Sequence, residues 1–115
     1  KYGAFIVDKV NREYCKKIIA MLPSQSHPEH YHIRKEETFE LISGDCSLNL
    51  EGRTLGLSLG VPVLIPRGVK HSFKTENGCI IEEISTTHHV GDSIYTDPTI
   101  LRKETKDRKV KCNIK

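Results

Sequence analysis

Three histidines and a glutamate stand at spacings that suit a metal site. His30 and His32 are separated by one residue, Glu37 follows five residues later, and His71 lies beyond a Gly- and Pro-shaped turn. Residues i and i+2 of a β-strand point to one face, so the first two imidazoles would lie side by side. Imidazole and carboxylate ligands suit a divalent Mn, Fe, Ni or Zn ion. The pattern predicts one divalent metal site per chain, with a fourth ligand from His71 if a barrel brings its strand close.

Charged residues on two further predicted strands are candidates for proton transfer beside that metal. Lys17 shares a strand face with Ile19, whereas Lys16 takes the opposite face. A lysine that points into a barrel should have a depressed pKa, which suits a base. Glu82 and Glu83 form the second candidate pair, and only one of two adjacent strand residues can point inward. The inward glutamate would serve either as the base or as a partner that orients a metal-bound histidine.

Other aromatic, basic and apolar residues receive structural interpretations. Three share the parity of the predicted ligands and are expected to wall the pocket: Phe39, Leu41 and Phe73. Three lie off that face or at its end and are expected on the outside of the barrel: Tyr31, Arg34 and Arg67. Three histidines lie in loop-like contexts and are expected to be exposed: His27, His88 and His89.

The elements that carry these residues are predicted to be short strands. Apolar, β-branched runs recur between turn signals, and no helical periodicity longer than about two turns precedes residue 97. Gly52-Arg53 marks one turn, and Asn77-Gly78 is typical of a β-hairpin. We expect an all-β fold, one small barrel or jelly roll of antiparallel strands over residues 1–101. A short helix is predicted in the C-terminal helix or tail, with Asp97 as its cap and Pro98 at its first position.

Length and charge exclude several classes of protein. The 115 residues suit one domain, and the longest apolar stretch is interrupted by Gly and Pro and too short to cross a bilayer, so no membrane partner is expected. The net charge is +3, and residues 102–115 form a basic tail with seven basic and two acidic residues. That tail has no aromatic residue, which favours a solvated segment over a nucleic-acid partner.

Cysteine spacing points to a reducing compartment. The cysteines at 15, 46, 79 and 112 stand more than thirty residues apart, so no paired zinc-ribbon spacing occurs. Cys15, Cys46 and Cys79 fall within predicted strands, where buried free thiols behave as small hydrophobes. A cytoplasmic location follows as a prediction.

The metal-site residues also resemble the two motifs of the cupin superfamily. The first motif, H-x-H, four residues, E, six residues, G, is matched by His30, His32, Glu37 and Gly44. The second, G, five residues, P-x-G, two residues, H, is matched by Gly60, Pro66, Gly68 and His71. Ser24 and Thr75 replace a glycine and an asparagine of these motifs, and neither position is a ligand in the family. The resemblance implies a jelly roll whose metal is held by the two motifs' three histidines and glutamate.

A narrower resemblance covers residues 12–45 and 69–98. These segments are similar to the C-terminal cupin module of sialic-acid-synthase-type enzymes and, more loosely, to cupin-type D-lyxose ketol-isomerases. The first likeness implies a module beside an upstream synthase domain, and a chain that begins at Lys1 rather than Met agrees with it. It does not imply what the module does, but we expect it to bind a sugar ligand at the metal. The second implies a stand-alone aldose–ketose isomerase. An Fe(II) oxygenase is a third alternative, and the family resemblance also implies a homodimer.

Overall fold

Two β-sheets pack face to face in a computed structural model, which describes residues 2–97, residue 99 and residues 110–113. In chain order the strands of this described part are β1 (Phe5–Asn11), β2 (Tyr14–Met21), β3 (Ser26–Tyr31), β4 (Glu37–Gly44), β5 (Ser47–Leu50), β6 (Arg53–Gly56), β7 (Val63–Ile65), β8 (His71–Lys74), β9 (Cys79–Thr86), β10 (Ile94–Tyr95) and β11 (Val110–Asn113). One sheet has the order β11-β1-β2-β9-β4-β7 and the other has the order β10-β3-β8-β5-β6. The predicted all-β architecture is confirmed.

Strand pairing brings the chemically active positions together. In the six-stranded sheet, Glu83 of β9 lies opposite Lys17 of β2 on one side and Phe39 of β4 on the other. In the five-stranded sheet, His30 of β3 lies directly opposite His71 of β8. Side chains alternate between the two faces of a strand, so these residues project into the space between the sheets.

A continuous apolar core fills the rest of that space. Its buried members include Ile19, Met21, Leu41, Leu48 and Ile81, which come from both sheets. The predicted thiols Cys15, Cys46 and Cys79 are buried and free, as expected. The side chain of Cys112 lies outside the described part of the chain. Apolar burial on the inner faces therefore holds the two sheets together around the polar site.

The turn predicted at Gly52-Arg53 is found one residue earlier, because Arg53 already begins β6, and the predicted Asn77-Gly78 hairpin is wrong. Glu51 and Gly52 join β5 to β6 with φ angles of 50° and 85°, which is the left-handed geometry of a tight hairpin. Asn77-Gly78 instead leads from β8 in one sheet to β9 in the other. An Asn-Gly pair favours a tight turn. Here β8 and β9 on either side of it pair with other strands and not with each other, so the turn does not form a hairpin.

The first and last of the described strands pair at one edge of the six-stranded sheet. The apolar N-terminal run forms β1, which pairs antiparallel with β2 and parallel with β11 of the same chain. Part of the segment expected as a tail thus lies on the sheet, and the division at residue 101 stays a prediction. The predicted helix lies largely outside the described residues, although Asp97 Oδ1 accepts a 2.9 Å hydrogen bond from the Thr99 amide. In the described part, no helix is long and apolar enough to span a membrane.

Candidate metal centre

The four predicted ligands converge at one end of the space between the sheets. His30 lies near the end of β3 and His32 just beyond it, while Glu37 and His71 are the first residues of β4 and β8. One potential ligand atom from each residue lies within 4.8 Å of the others, and all four residues are buried. Strand ends from both sheets therefore assemble a cluster that could hold one metal ion.

Hydrogen bonds select the tautomer of all three histidines. The Nδ1 atoms of His30, His32 and His71 lie 3.0, 3.1 and 2.9 Å from backbone carbonyl oxygens. The acceptors belong to Pro28, Asp92 and Val69. A carbonyl can only accept, so each Nδ1 carries the hydrogen and each neutral ring keeps its lone pair on Nε2. Metal-ligating histidines in proteins are oriented in this way.

Glu37 lies close to two of the histidines, yet polar atoms in this cluster lack hydrogen-bond partners. Glu37 Oε2 lies 2.8 Å from His71 Nε2 and 3.2 Å from His32 Nε2. Even so, Glu37 Oε2 and His71 Nε2 are buried without a hydrogen-bond partner, because a carboxylate oxygen and an unprotonated Nε2 are both acceptors. Buried polar atoms that lack a partner are costly. A cation bound between them would satisfy both, so the donor set fits a divalent metal.

The electrostatics of the cluster keep its members in the ligand state. Burial, together with the neighbouring histidines, holds the pKa of His30 well below its ordinary value, so the ring stays neutral. The charge of Lys35, whose Nζ lies 3.7 Å from Glu37 Oε1, favours the ionised form of the buried Glu37 carboxylate. Neutral imidazole and ionised carboxylate are the forms that bind metals.

A buried lysine links this cluster to a second carboxylate. Lys35 Nζ lies 3.0 Å from Glu83 Oε2, 3.7 Å from Glu37 Oε1 and 3.2 Å from His88 Nδ1. Burial lowers the pKa of Lys35, but the charges of Glu83 and Glu37 reverse this effect and raise it overall. The pKa of Glu83 is raised by burial and by the charge of Glu37, against the lowering effect of Lys35 and Lys17.

Two of the three candidate bases lie on the inner face of the six-stranded sheet, and the third lies on its outer face. Lys17 points inward as predicted, with its side chain 6% exposed and its Nζ 3.5 Å from Asp8 Oδ1. Glu83 is the inward glutamate. Glu82 lies on the outer face, where its carboxylate pairs with Lys16 Nζ at 3.0 Å, so it has no access to the site.

An open pocket with a cavity volume of about 30 Å³ lies beside the cluster. Its apolar and aromatic walls include Ile6, Ile19, Phe39, Phe73 and Tyr95, and its polar walls include His27, Lys17, Lys35, Glu83, His88 and Ser93. Phe39 and Phe73 wall the pocket as predicted, whereas Leu41 is buried in the core beyond it. Arg34 and Arg67 lie on the exposed surface, as expected, and Tyr31 is half-buried.

The expectation that His27 lies in an exposed loop is wrong. His27 belongs to β3, is buried, and stacks on Phe73 with ring centroids 4.9 Å apart and planes 6° apart. Strict alternation would put His27 and His30 on opposite faces. A register irregularity between them turns both inward, because an extra residue in a strand reverses the alternation. His88 is also partly buried, through its contact with Lys35, and His89 is half-buried.

Sequence reasoning missed two residues of the site. Lys35 stands two positions before Glu37, so the parity of an extended β4 was a signal for its inward direction. Asp92 accepts hydrogen bonds from the backbone of residues 33 to 35, and its carbonyl bonds His32. No local signal identified Asp92, because its partners lie 57 to 60 residues away in the chain.

The chain is similar in sequence to sugar isomerases and in fold to cupin-type proteins. No family model matches the chain. D-lyxose ketol-isomerase of Cohnella laeviribosi is 30% identical over 129 residues, an alignment that covers 87% of this chain and 71% of that protein. The solved structure of Cellulomonas parahominis L-ribose isomerase with L-ribose superposes with a TM-score of 0.79 at 14% identity, over 98% of this chain and 77% of that one. The Cnp3 cupin domain of Schizosaccharomyces pombe superposes with a TM-score of 0.64 at 14% identity, over 74% of this chain and 64% of that one. The two structures establish a shared cupin-type fold.

Proposed function

Because the chain belongs to the family of the D-lyxose ketol-isomerases, we propose that it is a metal-dependent enzyme that interconverts an aldose and its 2-ketose. The observation that carries the proposal is the convergence of four buried ligands beside an inward carboxylate and two inward lysines. A binding module needs the ligands, but it does not need a buried base next to them. D-lyxose is the first substrate to test, because it is the substrate named for the relative.

We assign the metal to His30, His32, Glu37 and His71. A divalent ion held there would act as a Lewis acid that polarises two neighbouring sugar oxygens. The protein's part is to present neutral imidazoles and an ionised carboxylate, which the carbonyl contacts and the Lys35 charge favour. Mn, Fe(II), Ni and Zn all suit this donor set.

The reaction needs one group that moves a proton between carbons. Conversion of an aldose to a ketose takes a proton from C2 and returns one to C1, while a hydroxyl proton passes from O2 to O1, so no oxidant or co-substrate is consumed. We assign the transfer of the proton from C2 to C1 to Glu83. Its raised pKa brings the carboxylate closer to the operating pH of a general base. Lys17, on the neighbouring strand, is the second candidate and otherwise a donor to substrate hydroxyls.

An isomerase assay on metal-loaded protein tests the proposal. We expect D-lyxose to yield D-xylulose, followed by NMR, and we expect Lys17→Met to lower turnover while metal content stays unchanged. Sugar binding without turnover by the wild type, across aldopentoses and aldohexoses, would favour the non-catalytic module of a sialic-acid-type synthase. Oxygen consumption dependent on Fe(II) would favour the oxygenase. Both alternatives, like the cytoplasmic location, stay predictions.

We also propose that the chain forms a homodimer through the outer face of the six-stranded sheet. Large apolar side chains there are 40–53% exposed: Ile42, Leu64, Ile80 and Ile84. The outer face of the other sheet carries small polar residues instead, including Ser47, Asn49, Thr54 and Ser72. Apolar patches of this kind mark interaction sites.

The charges on this outer face favour a second copy as the occupant. Glu40 and Glu82 are directly opposite on adjacent strands, and Lys16 pairs with Glu82. Like charges directly opposite one another are unfavourable. A two-fold interface brings the same face of a second copy against this one, and a second Lys16 placed over the acidic pair would offset its repulsion.

Light scattering tests the dimer. We expect a dimer for the wild type, a monomer for Ile84→Lys, and a dimer for the control Ser72→Lys on the opposite outer face. A monomeric wild type at high concentration would contradict the proposal.

A further inference from the structure

Asp92 contacts both halves of the site without lining the metal cluster. Its backbone carbonyl lies 3.1 Å from Nδ1 of His32, a predicted metal ligand. Its carboxylate accepts hydrogen bonds from the amides of Ile33, Arg34 and Lys35, at 3.0 Å, 3.0 Å and 3.1 Å. The residue is only 6% exposed. One buried side chain thus caps three consecutive amides in the connection between β3 and β4.

Strand pairing does not order that connection. Residues 32–36 belong to no strand, so the three amides that donate hydrogen bonds to Asp92 have no partner in a sheet. Buried or partly buried amides require acceptors. A carboxylate is a strong acceptor for such bonds because it is charged. The segment carries His32 at its start and Lys35 near its end, so its conformation determines where both side chains point.

We propose that Asp92 is a positioning residue that fixes the His32 imidazole and the Lys35 ammonium relative to each other. It thereby links the metal site to Lys35, the lysine that pairs with Glu83. The proposal rests on the proposed function only for its kinetic consequence. A metal-binding readout tests it without any isomerase activity.

A second capping aspartate provides a matched control. Asp45 accepts hydrogen bonds from the amides of Glu76 and Asn77, at 2.9 and 3.0 Å. It caps the turn between β8 and β9, which carries no residue of the metal cluster. Replacement of either aspartate removes a carboxylate cap from backbone amides, but only Asp92 caps a segment that carries site residues.

The experiment compares Asp92→Asn with Asp45→Asn in protein loaded with Co²⁺. We expect Asp92→Asn to weaken Co²⁺ binding by about 10- to 100-fold, the usual effect of losing a partner that orients a ligand. The visible absorption of the bound Co²⁺ should also change, because the His32 ring is held less firmly. Where D-lyxose is turned over, kcat should fall more than KM changes. Asn keeps one acceptor oxygen, so the variant should fold even if Asp92→Ala does not.

Two results would overturn the proposal. The first is a Co²⁺ affinity and spectrum in Asp92→Asn equal to those of the wild type. The second is an equal loss of Co²⁺ affinity in Asp45→Asn, which would show that any lost cap has this effect. A failed isomerase assay with altered Co²⁺ binding in Asp92→Asn alone would contradict the proposed function and support the positioning role.

Discussion

The two ends of the barrel are built from the same strands but carry different residue types. Along the inner face of β2, Lys17 stands at the metal end and Met21 at the other. Along β9, Glu83 stands at the metal end and Cys79 at the other. All four residues are buried. The same strands thus bury charged residues at one end and apolar residues at the other. The residue types at the inward positions therefore determine the role of each end.

The difference shows how the chain accommodates a costly site. Buried charges are unfavourable unless they are paired, and the metal end leaves Glu37 and His71 with atoms that lack hydrogen-bond partners. The apolar end contributes burial without such a cost, through residues such as Leu48 and Ile81. Substitutions at the two ends should therefore separate function from stability.

The largest effect is expected from the loss of one ligand at the metal end. His32→Ala should reduce metal content from about one ion per chain to near zero and abolish turnover, because the site loses one of the four ligands that converge on the ion. Elemental analysis of protein prepared without chelators measures this. His89→Ala removes a histidine outside the cluster and should keep the metal. Full metal occupancy in His32→Ala would contradict the ligand assignment.

The next largest effect is expected at the inward carboxylate. Glu83→Gln should lower kcat by about 10²- to 10⁴-fold, the usual contribution of a general base, with metal content unchanged. Glu82→Gln, one residue away on the outer face, should stay within about twofold of the wild type, because it lies outside the pocket. Steady-state kinetics with D-lyxose compares the two. Equal losses in both variants would remove Glu83 from its assigned role.

A truncation at the apolar end should act on stability instead. Leu48→Ala should lower the free energy of unfolding by about 2–5 kcal/mol, because it opens a cavity in a fully buried position. Leu55 lies directly opposite on β6 and is 40% exposed, so Leu55→Ala should cost about 1 kcal/mol or less. Chemical denaturation measures both changes. A lower metal content in folded Leu48→Ala would show that the apolar end also affects metal binding, and would contradict the separation of stability from function.

The smallest effect concerns the pH profile. The charge of Lys35 lowers the pKa of Glu83, against the raising effects of burial and Glu37. Its removal in Lys35→Met should raise that pKa further, so the carboxylate form needed in a base is lost at a higher pH. The acidic limb of kcat/KM should therefore move to higher pH. A limb that stays in place, or moves to lower pH, would show that Glu83 is not the group that titrates.

Much of the fold and the ligand set could be predicted from local patterns. Period-two alternation indicated strands, and parity placed Lys17 inside and Lys16 outside, as the structure has them. The Gly- and Pro-shaped turn before His71 identified the first residue of β8. These features depend on neighbouring residues alone, because side-chain direction in a regular strand follows from the backbone geometry.

The remaining features depend on contacts between distant parts of the chain. An irregularity in the pairing of β3 with β8 turned His27 inward, and the exit of β9 into the second sheet replaced the expected hairpin at Asn77-Gly78. Asp92 reached the connection that carries Lys35 only because the sheets pack face to face. Local patterns therefore specify which ligands and strands are present. Which charges meet depends on strand register and loop docking, because these are set by long-range packing.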